Sequence, residues 1–313
     1  MKDLSIGIDI GGTKILIALV DKTTGEVLYY IKKKTSRGNK KILSKLIDGI
    51  NELVNENNIR IDEIKLIGIG SSGIIDRENG IILDAPNLEC HNFQIKSELE
   101  REFNKPVQIG NDVEAAAIGE WKFGSAVGIN DFMCIFIGTG IGAAIVKDGK
   151  LLRGKSGTAG EFGHMTISYN GRHCACGSYG CLEAYASRSA VEGKITEALN
   201  KGVKSVISDY IKPEKPISSG MIAKSVERGD VLVTSCILEA AEYLSSGLAS
   251  VMNLINPECI ILGGGLVEAV DLFYQEATQR ARQKALSLPA GQTIFKKSHL
   301  GDFAGVIGAT NFE

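Results

Sequence analysis

Two stretches of this chain follow one plan. LSIGIDIGGTKILIALV at residues 4–20 and FMCIFIGTGIGAAIV at residues 132–146 each read as an apolar strand, a glycine turn and a second strand. A polar turn follows each of them, DKTTGE in the first case and KDGK in the second. Gly11 and Gly138, which open the two turns, stand 127 positions apart. A repeat on this scale predicts two similarly built halves, and 313 residues suffice for two medium domains.

The segments between the repeats fit α/β domains. Apolar positions Leu43, Leu46, Ile47, Ile50, Leu53 and Val54 form a helical stripe. Ile64–Ile69 reads as a buried strand before the turn-rich GSSGIID, and Ile95–Phe103 as a short helix. KPVQIGNDVEAAAIGEW runs from strand to helix, with Asn111 and Asp112 at the joint, where their side chains can satisfy free helix N–H groups. Beyond the second repeat, helices are expected at Ser187–Leu199, Ser219–Glu227, about Val231–Asn256 and near Val267–Lys284, with a strand at Cys259–Leu262. A final short strand and helix close the chain. The boundary is expected near residues 113–130 with a cleft between the domains, giving 1–115 joined by 303–313, and 116–302.

The chain has 37 glycines, well above the usual share of about 7%, and they cluster as GGT, GTGIG and GGG. GTGIGA fits the G-x-G-x-x-A dinucleotide pattern, but that pattern opens a helix and here a strand follows. GGTK lacks P-loop spacing and also feeds a strand. What remains is a tight hairpin whose backbone N–H groups can point into a concavity that fits phosphate oxygens. A purely structural hairpin is the bland alternative. Asp9 stands just before the first turn, where it could either cap that turn or hold Mg²⁺ through water beside a phosphate.

The formal net charge of −2 and the lack of a long basic block argue against a nucleic-acid partner; Lys32–Lys34 reads as a solvated surface. Neither a signal peptide nor an uninterrupted apolar run of about 18 residues is evident, so no membrane span is expected. A cytoplasmic protein keeps its thiols reduced. Yet three of the seven cysteines fall in HCACGSYGCLE, which opens with His173, and His164 stands nine residues before it. The spacing favours a metal over a disulfide or inert thiols.

DIGGTK at 9–14, GTGIG at 138–142, EFGH at 161–164, CACGSYGCLE at 174–183 and GGG at 263–265 together resemble the ROK family of sugar kinases, over nearly the whole chain. The resemblance implies an α/β, actin-like and hexokinase-like two-domain ATPase fold with ribonuclease H-like halves, closing on ATP and a hexose. It also implies a homodimer or homotetramer. The family pattern places a zinc ligand in ExGH, which selects His164 over His173 and gives the set His164, Cys174, Cys176 and Cys181 within segment 161–183. Four protein ligands make a closed, structural Zn²⁺ site. Zinc would fix Glu161, His164 and Glu183 as an acceptor–donor–acceptor wall for sugar hydroxyls, as the corresponding family residues do.

By the same resemblance Asp112 is the general base for the 6-hydroxyl and Asn111 binds a neighbouring hydroxyl. Gly73 and Asn87 lie in sugar-side loops, although Ser72 stands where proline or alanine is common. Gly11, Gly12, Thr13, Lys14, Gly138, Thr139 and Gly140 would hold phosphates, Gly264 and Gly265 the adenosine, and Asp9 the Mg²⁺. Glucose is the leading substrate, ahead of N-acetylmannosamine, fructose, N-acetylglucosamine and allose. A sugar-responsive repressor needs a DNA-binding module ahead of the first strand, which starts here at residue 4; a non-catalytic sugar sensor is the other alternative.

Overall fold

The computed structural model describes residues 2–211 and 215–312. In chain order the elements are β1 (Leu4–Ile10), β2 (Lys14–Asp21), β3 (Glu26–Lys34), α1 (Asn39–Glu56), β4 (Ile67–Ser71), β5 (Ile74–Asp76), β6 (Ile81–Ala85), β7 (Cys90–Phe93), α2 (Ile95–Phe103), β8 (Val107–Asn111) and α3 (Asp112–Phe123). They continue with β9 (Phe132–Ile137), β10 (Ile141–Lys147), β11 (Lys150–Leu151), α4 (Glu183–Ala186), α5 (Arg188–Asn200), α6 (Ser219–Glu227) and α7 (Val231–Leu254). The last are β12 (Cys259–Gly263), α8 (Gly265–Ala269), α9 (Asp271–Lys284), α10 (Ser287–Gln292), β13 (Ile294–Lys297) and α11 (Ala304–Ala309).

Two compact units result: Met1–Gly128 with Arg153–Ala159 and His299–Glu313, and Ile129–Leu152 with Gly160–Ser298. The first unit carries a five-stranded sheet in the order β3-β2-β1-β4-β8, and the second a sheet in the order β11-β10-β9-β12-β13. In both, the first three strands are antiparallel and the last two run parallel to the central one. The repeat in the sequence is therefore a repeat of topology, the two-domain α/β fold of hexokinase-like proteins.

β2 shows why its residues are strand formers. Ile15, Ile17 and Leu19 join the α1 side of the core, while Leu16, Ala18 and Val20 pack with Val306 and Ile307 of α11. Both faces are covered, so the strand is apolar throughout rather than alternating. α11 lies so close that a Cβ on Gly7 would sit 2.0 Å from the Val306 carbonyl oxygen, and one on Gly308 1.6 Å from that of Ala115. These approaches tie α3 and α11 into unit 1. The expected boundary at 115/116 accordingly falls inside α3, and the chain leaves unit 1 after Gly128. The return also begins earlier than 303, at His299, because buried Glu120 accepts hydrogen bonds from the His299 and Leu300 N–H groups at 3.0 and 2.9 Å.

Three further differences concern single elements. Residues 74–93 form a separate three-stranded meander, β5-β6-β7, where the sequence indicated only turns. The helix expected near Val267–Lys284 is two helices, α8 and α9, divided at Val270. α7 is the one helix among the described residues long and apolar enough to cross a membrane. Here it is a core helix, with Ile237, Leu244, Leu248 and Met252 buried in unit 2.

Candidate active site

The expected site residues divide between the two units. In unit 1 the parallel strands β1, β4 and β8 bring Asp9, Gly70 and Gly110 into one register row. Beyond it, at the strand C-termini, lie the turn Gly11–Thr13, Ser71 and Asn111. Ligands of parallel α/β sheets bind at such carboxyl ends. The first turn is closed by the Gly11 N–H donating to the Lys14 carbonyl at 3.0 Å. Thr35 steadies it from β3's end, its hydroxyl donating to the Gly11 carbonyl at 2.7 Å and its N–H to that of Thr13 at 3.1 Å. Gly12 and Thr13 remain exposed.

The Asp9 carboxyl is pushed up to about 7 by desolvation and then by the neighbouring Asp112 charge. Lys14 opposes that rise and Asp302 adds to it. Such crowding of acidic groups suits a divalent cation. Asn111 caps α3, its side-chain oxygen accepting from the Val113 and Glu114 N–H groups at 2.9 and 3.2 Å. Any sugar contact from Asn111 would therefore come from its amide nitrogen. Asp112 accepts from the Val113 N–H at 2.9 Å with Oδ1. Two residues further on, buried Glu114 pairs with Arg77 and fixes the first helical turn. Gly73, at φ +107°, turns the chain against Asp84 and Ala85, and exposed Asn87 lies beside Gly12.

In unit 2 the Gly138 N–H closes the second turn on the Gly140 carbonyl at 2.9 Å. Gly263 ends β12, the strand paired with β9, and Gly265 opens α8; between them Gly264 adopts φ +90° with no room for a side chain against Ile137. Thr139 and Gly140 are not bare. Arg188 donates its backbone N–H to the Gly138 carbonyl and its guanidinium to the Thr139 hydroxyl, both at 2.9 Å. Glu183 accepts from the Ile141 N–H at 2.7 Å.

His164, Cys174, Cys176 and Cys181 gather so that their four ligand atoms lie within 4.8 Å of one another. The Cys176 and Cys181 sulfurs are 3.7 Å apart. A tetrahedron with Zn–S arms of about 2.3 Å has edges of about 3.8 Å, so the donor set fits zinc. Gly177 and Gly180, at φ +90° and +76°, let the chain wrap. Burial pushes the Cys174 thiol up and that of Cys181 to about 12, so a cation is what would hold them as thiolates. His164 turns Nδ1 toward Cys174, at 3.9 Å, and Nε2 toward Glu161, at 3.8 Å. His173 instead packs its ring against Tyr179. Glu183 departs from the expected wall: one oxygen is committed to Ile141, and the other lies 4.0 Å from the Cys174 sulfur.

Two residues on these surfaces have no signature in the sequence. Arg188 opens α5 like any helix-start residue, and Asp302 sits in a single 3-10 turn whose partner Lys14 is 288 positions away.

Comparison with known proteins gives a consistent result. The model of the ROK family matches residues 5–312. A xylose repressor of Caldicellulosiruptor bescii is 35% identical over 97% of this chain and 76% of its own length. A glucokinase of Halalkalibacterium halodurans is 33% identical over 97% of this chain and 92% of its own. Among solved structures, a ROK glucokinase from Streptomyces griseus in complex with glucose and AMPPNP superposes with a TM-score of 0.86 at 30% identity, covering 98% of both chains.

Proposed function

The chain belongs to the ROK family, and from that premise we propose that it transfers the γ-phosphoryl group of ATP to the 6-hydroxyl of a hexose, with glucose the leading substrate. The observation that carries this reading is the β8–α3 joint. It presents Asp112 at a strand C-terminus in the same sheet as Asp9 and the first glycine turn.

In the proposed reaction the Asp112 carboxylate takes the proton of the 6-hydroxyl. The O6–phosphorus bond forms, the bond from the γ-phosphorus to the bridging oxygen breaks, and ADP leaves. The carboxylate need not be a strong base, because phosphoryl transfer depends mainly on positioning and charge stabilisation. Gly73, Asn87, Asn111, Glu161, His164 and the second oxygen of Glu183 would hold the sugar. Gly11–Lys14 and Gly138–Gly140 would hold phosphates, and Gly264–Gly265 the adenosine. Mg²⁺, held through Asp9, would supply charge neutralisation on the phosphates. Zn²⁺ on His164, Cys174, Cys176 and Cys181 would be structural. We place the enzyme in the cytoplasm as a homodimer or homotetramer.

The test is coupled ADP release across glucose, mannose, fructose, allose and the N-acetylamino sugars. Asp112→Asn should lower turnover by about 10²–10⁴-fold without lowering the melting temperature, since it removes a charge that disfavours the Asp9 carboxylate. The repressor relative favours a second reading, a sugar sensor: glucose binding without ADP release from any sugar would establish it.

A further inference from the structure

We propose that Asp302 is a positioning residue for the nucleotide, acting through Lys14; this rests on the kinase reading above. The Lys14 ammonium donates to Asp302 Oδ1 at 2.6 Å and that of Lys32 to Oδ2 at 3.1 Å. Leu16 of β2 pairs with Lys32 of β3, and Lys14 with Lys34. Lys14 and Lys32 are therefore diagonal neighbours on one face of the sheet, where like charges repel. A carboxylate between them offsets that repulsion and holds both. Partial burial pushes the Asp302 carboxyl up, but the hydrogen bonds from the two lysines outweigh it and keep the group below its ordinary range. Two ammonium groups on one carboxylate leave a net positive charge, the sign a triphosphate needs.

The segment that delivers Asp302 is itself fixed. Glu120 pins His299 and Leu300, Phe303 meets the Tyr30 ring edge-on at 5.0 Å, and α11 is buried on the sheet. A Cβ on Gly305 would lie 3.2 Å from the Asp9 carboxylate, so the same segment borders the first residue of the glycine motif. Lys14 is the first residue after Gly11-Gly12-Thr13, and its four-carbon stem is flexible. An ammonium already held in one place loses less freedom when a phosphate arrives. Asp302 supplies that constraint from the other end of the chain.

The test measures AMPPNP affinity with Mg²⁺ by calorimetry, which needs no turnover, alongside the KM for ATP and for the sugar. Asp302→Asn should weaken AMPPNP binding and raise the ATP KM by about three- to fivefold, the modest range expected of a half-exposed pair. The sugar KM should stay in place, the thermal midpoint should fall by no more than the few degrees a half-exposed ion pair is worth, and Asp302→Glu should recover most of the loss. In a Lys14→Met background the Asp302→Asn change should add less than about twofold. Unchanged or tighter AMPPNP binding, parallel shifts in both KM values, or an undiminished effect without Lys14 would each overturn the inference. A native protein that binds no AMPPNP would overturn the kinase reading together with it.

Discussion

The two glycine turns share a backbone plan and differ in what holds them. The first is steadied by its neighbouring strand through Thr35, and ionisable groups surround it: Asp9, Lys14, Asp112 and Asp302. The second is gripped by two distant side chains, Arg188 on Thr139 and Glu183 on Ile141. With the 127-residue offset Phe136 stands where Asp9 stands, but Ile141 pairs with Ile137 as Ile15 pairs with Ile10, so the second turn is one residue shorter and has no counterpart of Lys14. The two units thus share a sharp bend of the chain, while the cluster of acidic groups stands at the first turn only. The second turn draws one of its two grips from the cysteine segment, because Glu183 lies two residues beyond Cys181.

The largest expected effect breaks that last dependence. Removing zinc with a chelator should free segment 161–183, release Glu183, and expose the Ile141 amide. Amide hydrogen exchange at Ile141 should rise by orders of magnitude while Gly11, closed within its own turn, keeps its protection. Equal protection at both sites after verified metal loss would show that the second turn does not lean on the cysteine segment. Metal analysis of the purified protein should give about one zinc per chain.

The next test concerns the charge kept on one copy. Asp9 holds its proton up to about pH 7 in the folded protein, against 3.8 when unperturbed. Between those values the folded state binds the extra proton, so stability falls as pH rises through the window. Asp9→Asn removes the penalty. The variant should match the native protein below about pH 4 and be more stable above pH 7 without divalent cations, by about 1–4 kcal/mol, seen as a higher thermal midpoint. Its ATP turnover should fall by about 10²-fold or more. A midpoint lowered at pH 8 would show that the carboxylate is stabilising rather than strained. Phe136, the corresponding residue of the other turn, titrates nothing, and no such pH-dependent term arises there.

What the sequence revealed follows the same division. The strands β1 and β9 and their turns are legible because a glycine cluster between buried strands is a local signal. The cluster of His164, Cys174, Cys176 and Cys181 is legible because its members fall within eighteen residues, although choosing His164 over His173 needed the family pattern. Residues 74–93 were unreadable as strands because Ile74, Leu83 and His91 are exposed and the runs are too short to alternate. The membership of α3 in unit 1 and the Lys14–Asp302 pair were unreadable for another reason. Both depend on contacts with the last fifteen residues, nearly 200 or more positions away, and no periodicity encodes them.

The smallest effect compares two glycines directly. At Gly12 an added Cβ meets nothing nearer than the Asn87 Cβ at 3.9 Å, an ordinary contact. At Gly140 it would sit 2.3 Å from Glu183 Oε2, the atom that accepts from Ile141. The glutamate can swing aside, but then the Ile141 N–H loses a charged acceptor. Hydrogen bonds to charged groups contribute about 1.5–3 kcal/mol, and a flexible side chain that can partly re-form the contact brings the expected cost of Gly140→Ala to about 1–2 kcal/mol. Gly12→Ala should stay within about 0.5 kcal/mol. Thermal unfolding of both variants measures the difference. Equal costs would mean that Glu183 merely lies beside the second turn, and the grip that separates the two copies would have to be credited to Arg188.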